Sequence, residues 1–448
     1  MRVVIIGAGK LGYSIAEILS NEQYDVVVVD KDPVRLEAVK NSLDVLSICA
    51  NGASPLTMND ADVRGADILI ATTDSDEANL MACILAKKNR INHTVVRIRD
   101  MEFLSEAKEY LKRNFDIDLM LNPELIMALE IKRIIVMPAA LNVEDFADGR
   151  IRLFETKIDN QSALSRLPLK GLNLPRDILA AMIFRDHHMI IPHGDDRLQA
   201  GDNAYFVGAT KALEAFSESF VRRDAHKTSQ VFIIGAGRTG RFLAPMLLAQ
   251  GMKVKLVDKD KARCDLAAQK IERGLILNAD GTDMEVMQEE GIGESDVVVC
   301  LTEDDKLNMM LAVMAKHLGA RRTIVRVARS EYVDLMEKIG IDIALSARLL
   351  SASEVLAFVR RGGVVSVSLL EGAKAEAVEV IVPWGAPCCG RRLMDIQLPR
   401  ECLVCAYVRG SEASVANGST VLQPGDRVVL FIDKQHTKEV MKFFKGRE

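Results

Sequence analysis

A single register relates the two halves of this 448-residue chain. VVIIGAGKLG at residues 3–12 returns as VFIIGAGRTG at 231–240, so Gly7 corresponds to Gly235 and Asp30 to Asp258, each 228 positions on. Thr73, Asn79 and Arg97 correspond to Thr302, Asn308 and Arg326, each 229 positions on. Further along, Gly201-Asp202 corresponds to Gly425-Asp426 at an offset of 224, which leaves room for one short deletion. A register kept over that length marks a duplication, and whatever the first half folds into, the second half repeats. Length alone, at about 150 residues per domain, suggests roughly three domains, but each half divides into a first segment of about 140 residues and a second of about 85. The expected organisation is therefore A-B-A-B, with domains at 1–139, 140–226, 227–362 and 363–448.

In the first A segment, short apolar and largely β-branched runs near 2–6, 25–29, 45–49, 67–71, 94–98 and 117–120 read as strands buried on both faces. Helices fill the gaps. Asp76–Asn89 is expected to present Ala78, Met81, Ala82 and Leu85 as its apolar stripe. Alternating strand and helix implies right-handed crossovers and a doubly wound parallel sheet, so the fold class is α/β with two Rossmann domains. The B segments carry short strands punctuated by Pro and Gly-Asp, which reads as a small α+β module.

Gly7-Ala8-Gly9-Lys10-Leu11-Gly12 and Gly235-Ala236-Gly237-Arg238-Thr239-Gly240 both fit GxGxxG. The pattern is weak alone, but here a strand precedes it, a helix follows, and an acid ends the next strand. The first glycine serves a tight turn, the second lets a pyrophosphate approach the backbone, and the third lets the helix pack on the strand. The helix N-terminus then holds the anion. Asp30 and Asp258, each eighteen residues past the third glycine, are placed to accept from a ribose diol. A carboxylate there repels a 2′-phosphate, which favours NAD(H) over NADP(H) and does not separate NAD(H) from ATP or ADP. Asn51-Gly52-Ala53 and Asp280-Gly281-Thr282, after the third strands, are candidates for the adenine side. Thr72-Thr73 and Leu301-Thr302, after the fourth, are candidates for the phosphate side, and Arg97 and Arg326 end the fifth. Ordinary loop packing and surface ion pairing are the competing readings for these last groups.

Other chemistry finds less support. Net charge is −5 and the pI about 5.9, against a nucleic-acid partner. No apolar run approaches the ~18–20 residues needed to span a bilayer, and the opening MRVVIIG reads as a strand rather than a secretory leader. The eight cysteines are expected as reduced thiols. His187, His188, His193, Asp195 and Asp196 suggest a metal cluster, but the repeat puts Ser411, Glu412 and Asn417 opposite the histidines, so no metal is expected. Cys402-Leu403-Val404-Cys405 lies in a strand, where residues three apart point to opposite faces, and its counterparts Ile178 and Ala181 are core types. Cys388-Cys389, opposite Leu164-Ser165, reads the same way. A dehydrogenase needs a substrate domain with a proton-transfer residue, and the B segments offer no evident acid–base pair, so no catalytic residue is assigned. Glu124–Ile135 reads as a helix with Leu125, Ile126, Leu129, Ile131 and Ile135 on its apolar side. It either packs on its own sheet or crosses to the other A domain.

On these residues the chain resembles the regulatory subunits of Trk potassium-uptake systems, built from tandem RCK (KTN) domains. The match includes VVIIGAGKLG with Asp30, VFIIGAGRTG with Asp258, the helices in ATTDSDEANLMACILAK and LTEDDKLNMMLAVMAK, the Gly-Asp strands at 201 and 425, and the A-B-A-B order. The resemblance implies a cytosolic protein, peripheral to the inner face of the plasma membrane. It implies a homo-oligomeric ring, expected as a tetramer, beneath a potassium-translocating subunit of the TrkH or TrkG type. NAD(H) and adenine nucleotides would shift the ring between states. It also matches Lys10 and Arg238 to a basic position that in related regulators lies near a nucleotide phosphate across the dimer interface, and matches Glu124 to an acid that takes part in cation binding in relatives. The second half departs from that pattern with Arg348. An NAD-dependent oxidoreductase and a nucleotide-responsive scaffold without a channel partner remain the alternatives.

Overall fold

The computed structural model describes residues 1–104, 108–136, 142–158, 163–172, 174–185, 188–221, 228–329, 331–359, 364–370 and 375–446. The expected domain boundaries at 139, 226 and 362 lie outside the described residues. In chain order, the first sheet comprises β1 (Arg2–Ile6), β2 (Asp25–Asp30), β3 (Leu46–Cys49), β4 (Ile68–Ala71), β5 (His93–Arg97) and β6 (Leu119–Leu121). The second comprises β7 (Asn142–Phe146), β8 (Ile151–Lys157), β9 (Ile178–Arg185), β10 (His188–Ile190) and β11 (Asn203–Ala209). The third comprises β12 (Gln230–Ile234), β13 (Lys253–Asp258), β14 (Leu275–Asn278), β15 (Val297–Cys300), β16 (Arg322–Val327) and β17 (Ile343–Ser346). The fourth comprises β18 (Val364–Leu370), β19 (Ala375–Ile381), β20 (Cys402–Arg409), β21 (Glu412–Val415) and β22 (Arg427–Asp433). The chain visits two compact units alternately, one formed by Met1–Lys132 and Thr228–Val359, the other by Arg133–Lys227 and Arg360–Glu448.

The first unit holds two all-parallel sheets, ordered β3-β2-β1-β4-β5-β6 and β14-β13-β12-β15-β16-β17. This is the doubly wound order, with the sequence of strand addition switching sides between β1 and β4 and between β12 and β15. The strands are buried on both faces: Val3, Val4 and Ile5 of β1 and Val231, Phe232 and Ile233 of β12 are all fully covered. Such runs carry no in–out alternation, which is why they read as continuous apolar stretches. Helix starts follow from capping. Asp32 accepts from the Val34 N–H with Pro33 at the first helical position, and Ser75 accepts from the Ala78 N–H ahead of the helix Asp76–Lys88. Asp304 does the same for Asp305–His317.

The buried face of Asp76–Lys88 differs from the sequence expectation. Asn79, Leu80, Ala82, Cys83 and Ala86 are buried, while Met81 is 47% exposed. The expected stripe was rotated because it was anchored on Met81 and left out the polar Asn79, which is fully buried. The helix Pro123–Val136 shows a similar shift. It buries Met127, Ala128, Ile131 and Ile135, whereas Leu129 is 47% exposed.

The helix Ala347–Val359, opening at the second-half counterpart of that position, crosses to the other half. Its Ala352, Val355, Leu356, Phe358 and Val359 join Val3, Ile5, Leu11, Ile15 and Leu19 in one core on the first sheet. Phe358 also meets the His93 ring edge-on at 5.8 Å. The first Rossmann sheet is therefore covered on one side by a helix encoded some 340 residues later, and about 1.5–3 kcal/mol per large apolar side chain buried holds the two halves together.

In the second unit the antiparallel sheets run β10-β9-β11-β8-β7 and β18-β19-β22-β20-β21. One face of each contributes to a common core that includes Phe146, Phe184, Tyr205, Ala377, Cys405 and Phe431. The opposite faces have their own cores, one around Phe154, Phe206 and Phe216, the other around Val378, Cys388 and Leu430. Both Gly-Asp repeats serve folding. Asp202 and Asp426 are 1% exposed, and each accepts a two-pronged guanidinium contact, from Arg185 and Arg409 respectively. Gly201 and Gly425 precede them at φ +95° and +88°, where a side chain is strained.

Phe358→Ala is expected to lower unfolding free energy by about 3–5 kcal/mol in urea titration. Met310→Ala, at a site 49% exposed, is expected to stay within about 0.5 kcal/mol. A loss below about 1 kcal/mol for the phenylalanine would contradict the crossing-helix core.

Candidate nucleotide-binding cleft

The glycine-rich turns take the conformations their chemistry requires. Gly7 and Gly235 sit at φ +103° and +116°, and their N–H groups donate to Val29 and Val257 carbonyls. A Cβ on Gly12 would lie 1.9 Å from the Gly7 carbonyl oxygen, and one on Gly240 would lie 2.1 Å from that of Gly235. Only glycine lets the helices Lys10–Asn21 and Arg238–Leu248 start this close to their strands. Gly9 and Gly237 are the opposite case. Nothing lies within 4 Å of where their Cβ atoms would be, so both face open space at the helix starts.

The two acids end β2 and β13 and are nearly buried. Asp30 accepts from the Ala8 N–H at 2.6 Å and from the Asp32 N–H at 2.9 Å. Asp258 accepts from Ala236 at 2.8 Å and Asp260 at 2.9 Å, and Arg263 approaches it at 4.0 Å. Each carboxylate is thereby fixed across its own glycine turn, with lone pairs left for a hydroxyl donor. Gly52 and Gly281 back onto the ends of β1 and β12: a Cβ would meet Ile6 Cγ2 at 2.0 Å and Ile234 Cγ2 at 2.7 Å. Asp280 accepts from the Thr282 N–H and hydroxyl, which holds its carboxyl below the usual range.

Asn79 and Asn308 organise the strand ends and were not singled out as site residues from sequence. Asn79 Oδ1 accepts from the Thr73 N–H and hydroxyl, and its Nδ2 donates to the Thr73 and Arg97 carbonyls. Asn308 repeats every one of these bonds with Thr302 and Arg326. Arg97 and Arg326 in turn donate to the Thr73 and Thr302 carbonyls. The signal was present, since both asparagines hold the repeat register, but a polar residue on a helix reads as solvent-facing until burial is known.

A cleft of about 970 Å³ collects much of this machinery within the first unit. Gly7, Ala8, Gly9, Lys10, Leu11, Asp30, Gly52, Ala53, Thr72, Thr73 and Arg97 all line it. The second half contributes Gly237, Arg238, Thr239 and Arg326. Gly12, Gly235, Ala236, Gly240, Asp258, Asp280, Gly281 and Thr302 are not on its walls. Sequence reasoning did not single out Arg241 and Arg263, which also line it; both sit a turn or so from a motif residue, on the same helix or the one that follows. Ten Lys and Arg side chains face the cleft against four carboxylates, in a chain whose net charge is negative. That excess calls for a polyanion.

Several of these groups are under-satisfied. The Nε atoms of Arg97 and Arg99 and Oε2 of Glu124 are buried with no hydrogen-bond partner. Burial, then the neighbouring Arg99, push the Arg97 pKa below the ordinary arginine value, with Arg238 adding to the effect and Glu124 opposing it. Arg241 is depressed by burial, Arg238 and Arg263. Arginine remains charged under such shifts, so the crowding is stored repulsion that an anion relieves.

The remaining candidates do not form sites among the described residues. His187 lies outside them. His188 is in β10, the His193 N–H donates to Asp196, and Asp195 pairs with Lys170. No group of three or more metal-ligating side chains converges among the described residues. All eight cysteines are free thiols. Cys405 packs into the core shared by the second unit's sheets and Cys402 against the opposite face, and burial pushes the Cys402 thiol up to about 12. Cys388 is buried as its counterpart Leu164 is.

Two doubly wound domains with glycine-rich turns, sharing a cationic cleft and interleaved with paired α+β sheets, define a tandem RCK-type protein. The TrkA-N domain model matches residues 3–123 and 231–347, and the TrkA-C domain model matches 153–221 and 377–445. The chain belongs to the TrkA family of Trk-system potassium uptake proteins. It is 35% identical to the Trk system potassium uptake protein TrkA homolog 1 of Methanosarcina mazei, over 99% of this chain and 100% of that one. It is 34% identical to the homolog of Archaeoglobus fulgidus over 99% and 100%, and 33% identical to TrkA of Halomonas elongata over 99% of each. Among solved structures, the GsuK RCK domain shares the fold with a TM-score of 0.64 at 16% identity, covering 99% of this chain and 94% of that one. A GsuK channel bound to NAD gives 0.65 at 16% identity, covering 99% and 78%. No helix among the described residues is long and apolar enough to cross a membrane.

Gly12→Ala is expected to destabilise the fold by several kcal/mol, because its Cβ would displace the turn backbone, whereas Gly9→Ala is expected to cost about 1 kcal/mol or less. Asn79→Ala is expected to cost about 3 kcal/mol or more, since it strips partners from buried backbone groups. Chemical denaturation of the three variants measures the contrast, and equal losses at Gly9 and Gly12 would contradict the assigned turn roles.

Proposed function

We propose that the chain is the nucleotide-sensing subunit of a potassium uptake system, and that ligand in the cleft sets the conformation with which it gates a membrane-embedded partner. The supporting observation is the cleft itself, in which an open pyrophosphate turn, a fixed ribose acceptor and an excess of arginines lie between two homologous domains. In this reading Gly7 to Gly12 present the diphosphate seat. Asp30 holds the ribose, Gly52-Ala53 border the adenine, and Thr72, Thr73 and Arg97 border the phosphates. Residues 235–240 with Asp258, Asp280, Gly281, Thr302 and Arg326 form the equivalent second seat. The ligands are NAD(H) and the adenine nucleotides. The names of the relatives support the potassium-uptake role, and a GsuK channel bound to NAD supports the ligand class.

A ligand moves an equilibrium only by binding its two states unequally. A cleft walled by two domains meets that condition, since any change in their angle changes the distance between a phosphate and the arginines on the far wall. The domain limits at 139, 226 and 362 separate two sensing domains from two α+β modules that pair in their own unit. The working assembly is a homo-oligomeric ring on the cytoplasmic face of the plasma membrane, beneath a potassium-translocating subunit. No step of covalent chemistry is assigned: of the cleft's carboxylates, Asp30 is tied to backbone amides and Glu303 pairs with Arg263.

Asp30→Asn is expected to weaken NADH binding to the full chain about tenfold, by loss of a charge-assisted hydrogen bond to the ribose. It is also expected to shift nucleotide-dependent potassium flux in vesicles carrying the membrane partner to correspondingly higher ligand concentration. Flux indifferent to saturating nucleotide would overturn the gating role. Turnover of NADH with a panel of hydroxy and amino acids would replace it with an oxidoreductase.

A further inference from the structure

The two α+β modules repeat each other residue for residue from Ile151 and Ala375 onward, at the offset of 224. Their cores agree: Leu198 and Leu422, Phe206 and Leu430, and Phe216 and Val440 are buried in pairs. Along one edge their surfaces do not agree. Exposed Ile381 and Trp384 stand where the first module has Lys157 and Asn160, and exposed Lys438 and Lys442 stand where it has Glu214 and Glu218. The second module thus carries apolar side chains where the first has polar ones, and bases where the first has acids.

These residues are neighbours in space. β19 ends at Ile381, and beyond it the Val382 N–H donates to the Asp426 carbonyl. Pro383-Trp384-Gly385-Ala386 is a tight turn, in which the Ala386 N–H donates to the Pro383 carbonyl at 3.3 Å and Gly385 takes φ +74°. Trp384, the second residue of that turn and the one tryptophan of the chain, is 84% exposed. The segment packs on two short helical turns, Thr437–Val440 and Met441–Phe444. The Cys388 N–H donates to the Phe443 carbonyl at 3.1 Å, and a Cβ on Gly446 would lie 3.1 Å from the Trp384 carbonyl oxygen. Val440 and Phe444 are buried, whereas Lys438, Lys442 and Lys445, spaced four and three apart, are exposed. None of the three lysines forms an ion pair among the described residues, whereas Glu214 in the first module pairs with Arg152.

Charge and shape decide what such an edge can meet. A second copy of the same edge would set lysines against lysines, and like charges brought together repel. An extended acidic peptide needs a groove, and an indole 84% exposed on a turn is a projection rather than a wall. An anionic lipid surface meets both demands: its headgroup level takes an indole with an apolar body and a wet N–H, and its phosphates attract lysines. That attraction acts within about one Debye length, ~8 Å at physiological salt, so the local sign matters more than the chain's net charge of −5.

We propose that this edge of the second α+β module binds directly to the headgroup region of an anionic bilayer. Trp384 and Ile381 enter it, and Lys438, Lys442 and Lys445 meet its phosphates. The first module, with Lys157, Asn160, Glu214 and Glu218 at the same positions, has no such edge. The contact is separate from the nucleotide cleft and from any membrane-embedded partner, so it stands or falls independently of the function proposed above.

The single tryptophan makes the test direct. The full chain is mixed with vesicles of phosphatidylcholine alone, or with about a third phosphatidylglycerol, and followed by tryptophan emission and by sedimentation. The mixed vesicles are expected to shift the emission to the blue and to carry the chain down, with brominated lipid quenching the signal. Neutral vesicles are expected to bind at least about tenfold more weakly, and high salt to reverse the binding. Lys438→Glu combined with Lys442→Glu, which copies the first module, is expected to weaken binding by about 25-fold or more, at about fivefold per lysine. Trp384→Asn is expected to weaken it about tenfold by sedimentation. All three positions are exposed, and an unchanged urea midpoint confirms that the variants fold. Emission unmoved by the mixed vesicles, or binding unmoved by both variants, would overturn the proposal. So would a blue shift that grows with protein concentration in the absence of lipid, which marks a second copy, or one produced by polyglutamate and not by vesicles.

Discussion

The helix Ala347–Val359 is the constraint on which the cleft depends. Two Rossmann domains joined only by chain would be free to take any mutual orientation, and a site built from both would not persist. By placing Val355, Leu356, Phe358 and Val359 in the first sheet's own core, the second half becomes part of the first half's fold. Removing that helix would expose one face of the sheet, including parts of β1 and of the helix that carries the glycine turn. Site and interface therefore share one apolar cluster: Leu11, inside the GxGxxG turn, lines the cleft and belongs to the same core as Phe358. A shift of the crossing helix is felt directly at the glycine turn, because close-packed interiors transmit displacement rather than absorb it.

Much of this was legible in the sequence, and the reasons are specific. The six strands of the first sheet fall within about two residues of where their apolar runs place them, because strands buried on both faces need continuous β-branched sequence and little else supplies it. The glycine turns were legible because three separate steric demands fall on three residues at fixed spacing. Asp30 was legible because the next strand must end opposite the turn. Less visible was anything decided by which side of a helix is buried. Met81 and Leu129 are apolar yet exposed, and Asn79 is polar yet fully covered, since its four hydrogen bonds join the ends of two strands. Periodicity assigns an apolar stripe. It does not anticipate a buried amide that replaces one.

The Gly-Asp repeats make a related point. They are as regular as the GxGxxG turns, and spacing alone gives them equal claim to function. The structure separates the two. Asp202 and Asp426 are closed off by the guanidinium groups of Arg185 and Arg409, whereas each oxygen of Asp30 accepts from a backbone N–H and the residue lines the cleft. Repetition testifies that a feature was kept through duplication, not to what it was kept for. A paired, buried carboxylate fixes a fold, and an acid fastened only to backbone amides beside an open cleft is available to a ligand.

Crowded guanidinium groups give the cleft its capacity to respond. Arg97, Arg99, Arg238 and Arg241 share a cleft in which ten cationic side chains face four carboxylates, and their mutual repulsion opposes a close approach of the two walls. On the proposed function, an anion seated between them would offset that repulsion, and it could shift the two domains only so far as it binds their arrangements unequally.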